Sequence, residues 1–316
     1  MTRSSLTARR SESAAGLTSR ATRPALNWRL RRYIGLVFIA PWLIAFLVFD
    51  LIPTASAFYF SITDWSVIGA TTHIVGLRNY QDLFFNDPLF WTSLWNTVYY
   101  TAISVPLGLA LAFGLSLMLN VRVRGQGIFR TLFYLPAVVP TVSASVVWLW
   151  IFDTNHGLLN YLGSRVGLPP IQWLTSPAWS KNALIIMSLW GVGAAMVIFL
   201  AGLQAIPREI YDAADVDGAG GLRKLLAITV PLMSPSIFYN LLIGLINSFQ
   251  VFNVAYIVTG GGPVNSTLFY MLDIYNNAFS YLRMGYACAM AVVLFIVILA
   301  LTVLVYRSSS RWVFYS

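Results

Sequence analysis

The chain has 316 residues, 58% of them apolar, 15% aromatic and only 10% charged, where a soluble domain carries roughly 25% charged residues; at a mean hydropathy of +0.72 a water-soluble globule is excluded. Its apolar residues fall in runs of the length that crosses a bilayer, so the formal charge of +9 concerns sidedness in a membrane and not nucleic acid. The single cysteine, Cys288, leaves no disulfide framework and no cysteine metal site.

Residues 1–33 contain eight arginines and one acid, Glu12, the composition of a disordered basic tail. A cleaved transit peptide has the same acid-poor, Arg- and Ser-rich character, whereas the h-region of a secretory signal is shorter than the apolar run that follows here. The domain at 34–306 then reads as an all-α integral membrane protein with about six transmembrane helices, at about 34–60, 92–119, 130–152, 181–203, 233–258 and 285–306. Each is long enough, at ~1.5 Å per residue, to cross ~30 Å of hydrocarbon. Span 1 is interrupted by Pro41, Asp50 and Pro53; proline frees a backbone carbonyl that a neighbouring helix or water has to satisfy.

Between spans 4 and 5 lies a polar insert at 206–232, IPREIYDAADVDGAGGLRKLLAITVPL. Pro207 suits the first turn of a helix and Glu209 and Asp212 set negative charge near its positive end. Gly218 suits a left-handed helix stop, with Gly220 and Gly221 extending the turn. A second amphipathic helix follows, carrying Leu222, Leu225, Leu226 and Ile228, until Pro231 forces a break into span 5. The expectation is a helix–turn–helix elbow on the membrane surface. Ala213 and Ala214, small and flanked by acids, allow a second surface to approach the backbone closely; an ordinary connecting helix at the interface is the alternative.

Span 5 carries Asn247, Gln250 and Asn253, spaced by three, with Tyr256 one step further. Amides at that depth either pair between helices or face a cavity, and amides beside an aromatic face suit a sugar. Span 6 leads to a short tail at 307–316.

Sixteen of the 20 basic residues fall on one side of this arrangement: the N-terminal tail, the loop after span 2, the elbow and the C-terminal tail. Only Arg78, Arg165, Lys181 and Arg283 fall on the other, and the excess places both termini in the cytoplasm. No Gly-Lys-Ser/Thr phosphate loop is present, since Lys181 and Lys224 follow Ser180 and Arg223. Gly260, Gly261 and Gly262 precede Pro263 and read as a turn. His73 and His156 lack metal-ligand spacing, and no nucleophile can be paired with a base, so no catalytic residue is assigned. Asp50 is the one acid clearly inside a span, and it is the feature on which an ion-coupled secondary carrier would rest.

The elbow resembles the E-A-A signature of permease subunits of binding-protein-dependent ABC importers: an acid and two alanines, three residues, a glycine, nine residues, then I-x-L-P. Here these are Asp212, Ala213, Ala214, Gly218, Ile228, Val230 and Pro231, with Asp in place of Glu and Val in place of Leu. GLRNY at 76–80, RTLFYLPAVVP at 130–140, TGGGPVNST at 259–267 and the Tyr286, Ala287, Ala289 pattern are similar to the carbohydrate branch, in particular its maltose-type and glycerol-phosphate-type first permease. The resemblance covers the chain from about residue 30 onward. It implies the type I ABC importer permease fold and a bacterial or archaeal inner-membrane location. It implies as partners a second permease in a heterodimer, two copies of an ABC ATPase subunit, an extracytoplasmic solute-binding protein, the lipid bilayer and a carbohydrate substrate, with no nucleic acid. It implies no cofactor in this chain, ATP and Mg being bound by the partner ATPase. It makes Asp212, Ala213, Ala214, Asp217 and Gly218 the ATPase-coupling residues, and it suits Asn247, Gln250, Asn253 and Tyr256 to a substrate pathway.

Overall fold

The computed structural model describes residues 38–69, 72–121 and 125–314, and the basic tail expected at 1–33 lies outside them. Among the described residues the structure is helical, with one isolated antiparallel bridge between Thr63 and Ile74. The principal helices are α1 (Phe38–Phe60), α2 (Pro88–Asn120), α3 (Gln126–Val138), α4 (Thr141–Ile151), α5 (Pro177–Trp190), α6 (Gly193–Ala205), α7 (Arg208–Val216), α8 (Gly221–Leu232), α9 (Ser234–Phe249), α10 (Tyr270–Tyr275) and α11 (Met284–Ser309). Three of them, α1, α2 and α11, are each long and apolar enough to cross a membrane, and three bent pairs bring the candidates to six.

The contacts divide the chain after Ala55. In the first unit, α1 widens into a π-turn at Phe46–Leu51, where the Ile52 N–H bonds to the Leu47 carbonyl five residues back. The expected interruption at Asp50 and Pro53 is thus a widened turn inside the helix, which takes up proline's missing donor and its clash locally. Trp42 stacks on Phe46 with centroids 5.6 Å apart.

The second unit, from Ser56 onward, is organised around α2. Asp87 caps this helix, its Oδ1 accepting from the Leu89 N–H at 2.9 Å ahead of Pro88 at the first turn. Ser93, Thr97, Thr101, Ser104, Ala112 and Ser116 form a buried stripe of small residues along α2, which lets α5, α6 and α9 pack closely against it. At one end, called here the elbow end, Leu119, Met196, Phe199, Leu200, Leu203 and Met233 pack into an apolar cluster. At the other, the loop end, Tyr100, Phe152, Leu184, Phe269 and Leu272 form a second cluster, and Leu83, Phe90, Phe249, Tyr270, Tyr286 and Met290 a third.

Three of the predicted spans are bent pairs of helices. Span 3 turns by 99° between α3 and α4, because Pro140 follows Val139 and forces it into an extended conformation, φ −68° and ψ 129°. Its α3 half packs against the start of α6, where only glycine fits: a Cβ on Gly193 would run into the Phe133 carbonyl and lie 2.9 Å from the Tyr134 Cα. Span 5 is a 16-residue helix that stops at Phe249, only about 24 Å at 1.5 Å per residue. Span 4 is the pair α5–α6, bent by 46°.

Candidate functional site

The elbow is built from α7 and α8. Helix α7 begins one residue after Pro207 and carries Glu209 in its first turn. It ends in a Schellman motif: the Gly218 N–H bonds to the Asp215 carbonyl at 3.1 Å and the Ala219 N–H to the Ala214 carbonyl at 2.9 Å. Gly218 has φ +72° with open space around it, so its backbone conformation, not crowding, calls for glycine. Of the five residues expected to couple, Ala214 is buried while Asp212, Ala213, Asp217 and Gly218 are exposed. Tyr211 and Thr229 share a hydroxyl–hydroxyl hydrogen bond of 2.9 Å, and Lys224 pairs with Asp215, so α7 is tied to α8 on one face and bare on the other. Val216, 89% exposed, stands on the bare face.

Helix α8 continues through Pro231 instead of breaking there. A π-turn at Leu225–Thr229, with the Val230 N–H bonded to the Leu225 carbonyl, absorbs the proline. The bend comes two residues later at Met233, where α8 and α9 meet at 66°.

The four residues expected to line a pathway do not share one helical face. Asn247 is in the last turn of α9, Gln250 caps it, and Asn253 and Tyr256 lie beyond the break in the next turn. All four are exposed in this chain. Non-helical backbone at membrane depth is tolerated where it lines a cavity or is covered by protein, and the break after Phe249 is such a stretch within predicted span 5. The break also carries an aromatic group that the sequence reading missed. Phe252 stacks on Tyr256 at 5.4 Å and 17°, Tyr275 lies 4.9 Å from Phe252 and 5.3 Å from Tyr256, and Phe279 lies 5.1 Å from Tyr275. The signal available was two aromatic pairs at i,i+4, one on either side of the glycine turn.

Beyond the break, residues 259–267 form the expected turn and clamp α2 to α5. The Asn96 amide donates to the carbonyls of Asn265 and Leu268 at 2.8 and 3.1 Å, and its oxygen accepts from Lys181 Nζ at 3.0 Å. The Ser180 and Ser266 hydroxyls are 2.7 Å apart, and Thr97 Oγ1 accepts from the Tyr270 N–H at 2.9 Å. Beside this clamp Asp273, 2% exposed, accepts from Asn277 Nδ2 at 3.1 Å with one oxygen, while its Oδ2 has no hydrogen-bond partner among the described residues. Burial pushes its carboxyl up to about 6, with the charge of Asp87 adding to the effect and the hydrogen bond from Asn277 opposing it.

Over residues 104–315 the chain matches the family described as binding-protein-dependent transport system inner membrane component. The chain belongs to this family of transport permeases. The permease is 39% identical over 285 residues to the probable ABC transporter permease protein YesP of Bacillus subtilis, an alignment covering 89% of this chain and 92% of that one. It is 36% identical to the sulfoquinovosyl glycerol transport system permease protein SmoG of Agrobacterium fabrum, covering 87% and 90%. It is 32% identical to the trehalose/maltose transport system permease protein MalF of Thermococcus litoralis, covering 88% and 94%. In fold it is similar to a chain of a bacterial alginate ABC transporter in complex with an alginate pentasaccharide-bound periplasmic protein, with a TM-score of 0.78 at 24% identity over 89% of the permease and 96% of that chain. The family is that of the non-catalytic, membrane-embedded subunits of ABC transporters.

Proposed function

We propose that the permease is one half of the translocation pathway of an ATP-driven importer for a sugar or sugar derivative, and that α7 couples it to a separate ATPase subunit. The observation that carries the reading is the elbow: an acidic, Schellman-capped helix tied to α8 on one face and exposed on the other. A bare helix held at a fixed angle suits a cleft on a partner that moves. In this reading the partners are a second permease, two ATPase subunits holding ATP and Mg, and an external solute-binding protein. Asp212, Ala213, Asp217 and Gly218 form the contact, and the buried Ala214 lets α7 sit close to the chain beneath it. The work is mechanical: closure of the ATPase pair drives the elbows together and swings the pathway between its two openings. Both termini lie in the cytoplasm, in keeping with the distribution of arginine and lysine.

The carbohydrate assignment is supported by the names of SmoG and MalF and by the exposed amides and four rings at the span 5 break. Amides hydrogen-bond hydroxyls, and flat rings pack on the apolar faces of pyranoses. The test is co-purification followed by uptake of a panel of radiolabelled mono- and oligosaccharides into proteoliposomes. The expected result is that an ATPase and a second permease travel with this chain and that uptake requires internal ATP. Uptake that persists without any ATPase and collapses with an ion gradient would overturn the reading in favour of an ion-coupled carrier.

A further inference from the structure

The C-terminal segment does not trail away from α11. Helix α11 ends at Ser309, which is only 6% exposed, and the chain then turns back on itself through the bonds Arg311 N–H to Ser308 O at 3.1 Å and Val313 N–H to Ser309 O at 2.8 Å. Two residues of the returning segment reach α9. Trp312 sets its ring edge-on to Phe238, with centroids 6.0 Å apart and planes at 70°. The Phe314 N–H donates to Ser234 Oγ at 2.9 Å.

Ser234 is the first residue of α9, immediately after the 66° bend. Its hydroxyl also donates to the Pro231 carbonyl at 2.6 Å, so one oxygen links the last turn of α8, the first turn of α9 and the C-terminal segment. Tyr306, on α11 itself, adds a second ring against Phe238 at 6.4 Å. On the opposite side of the bend Met233, 1% exposed, is packed among Leu119, Leu200 and Leu203. The bend is therefore held from both sides.

A helix joint with free dihedrals absorbs a push, whereas one bridged on the far side passes it on. We propose that residues 310–314 are a strap that fastens the α8–α9 joint to α11, so that a displacement of the elbow moves spans 5 and 6 together. Ser234 and Trp312 are its positioning residues. The proposal rests on the reading that the ATPase moves the elbow, and the experiment separates the two.

The complex, with its second permease and ATPase, is reconstituted in nanodiscs with Cys288→Ser in this chain. Spin labels are placed at Leu222→Cys on α8 and Leu304→Cys on α11, both well exposed, and in a second sample at Leu222→Cys and Val264→Cys. Distances are measured by double electron–electron resonance without nucleotide and with Mg-ATP and vanadate. The 222–264 distance is expected to change on trapping, and the 222–304 distance to stay constant. In Ser234→Ala and in a chain truncated after Ser310, the 222–304 distance is expected to change or broaden on trapping, and Ser234→Thr is expected to restore it. If the truncated chain fails to assemble by size exclusion, Ser234→Ala and Trp312→Ala decide alone. A 222–304 distance that already changes in the intact chain, or that stays constant in Ser234→Ala and Trp312→Ala, overturns the strap. A 222–264 distance that does not respond to nucleotide in the intact chain overturns the elbow reading, and the strap with it.

Discussion

Gly218 is the residue whose replacement has the plainest physical consequence. Its φ of +72° lies in the region where an L side chain costs roughly 1–2 kcal/mol, and a β-branched one is an outlier there. Gly218→Val is expected to distort the stop of α7 and uncouple transport while the complex still assembles. Uptake and ATPase stimulation measured in the same proteoliposomes check this, and wild-type values of both would refute it. Asp273 gives a pH prediction. Its carboxyl sits at about 6 in the folded chain against about 3.9 when unfolded, so the native state holds the extra proton between these values. Stability is then greatest on the acid side, falls as pH rises from about 4 through 6, and stays lower above. Asp273→Asn, which removes the buried ionisable group, is expected to raise the melting temperature at pH 7.5 and to flatten its dependence between pH 5 and 7.5. Melting in detergent across that pH range tests it. At the span 5 break, Gln250→Ala and Asn253→Ala are expected to alter the range of saccharides taken up with assembly intact; loss of the complex would assign these amides to contact between subunits.

At the scale of elements, the helices were legible where pattern and caps agreed. Gly218 announces the end of α7, because it supplies the left-handed conformation that a helix stop requires; the start of α2 lies four residues before the 92 read for span 2, at the Asp87-Pro88 cap. The shapes of the spans were not legible, because a proline states that a helix is perturbed but not how. Pro231 and Pro53 each follow a π-turn that keeps the helix going, whereas Pro140 accompanies a 99° turn. The difference lies in the residue before each proline: Val139 is extended, φ −68° and ψ 129°, whereas Ile52 and Val230 stay helical. Asn96 illustrates how one side chain can hold three elements: it satisfies two loop carbonyls and a lysine at once. Asn96→Leu is expected to leave those groups unpaired, at roughly 1–3 kcal/mol each, and to lower the melting temperature by more than Thr92→Ala, whose exposed hydroxyl bonds to a carbonyl in its own helix. Comparison of the two variants by thermal unfolding in one detergent checks it.

For the molecule as a whole, the sidedness argument leads to a labelling experiment. In a Cys288→Ser chain, cysteines at Val216 and Ser310, both exposed, are expected to react with a membrane-impermeant maleimide only from the cytoplasmic face, and one at Val264 only from the opposite face. The reverse pattern, or labelling of 216 and 310 from different faces, would refute the topology. What the sequence by itself determined is the membrane character, the number of apolar segments, the charge asymmetry and the elbow. These depend on composition, periodicity and short-range spacing, which act within a few turns of the chain. The tertiary structure alone decided the four-ring group at Phe252, Tyr256, Tyr275 and Phe279, the burial of Asp273 and the return of the C-terminal segment to Ser234. Each of these joins residues that lie far apart in the chain or depends on what a helix packs against, and no local pattern records which distant partner will be there.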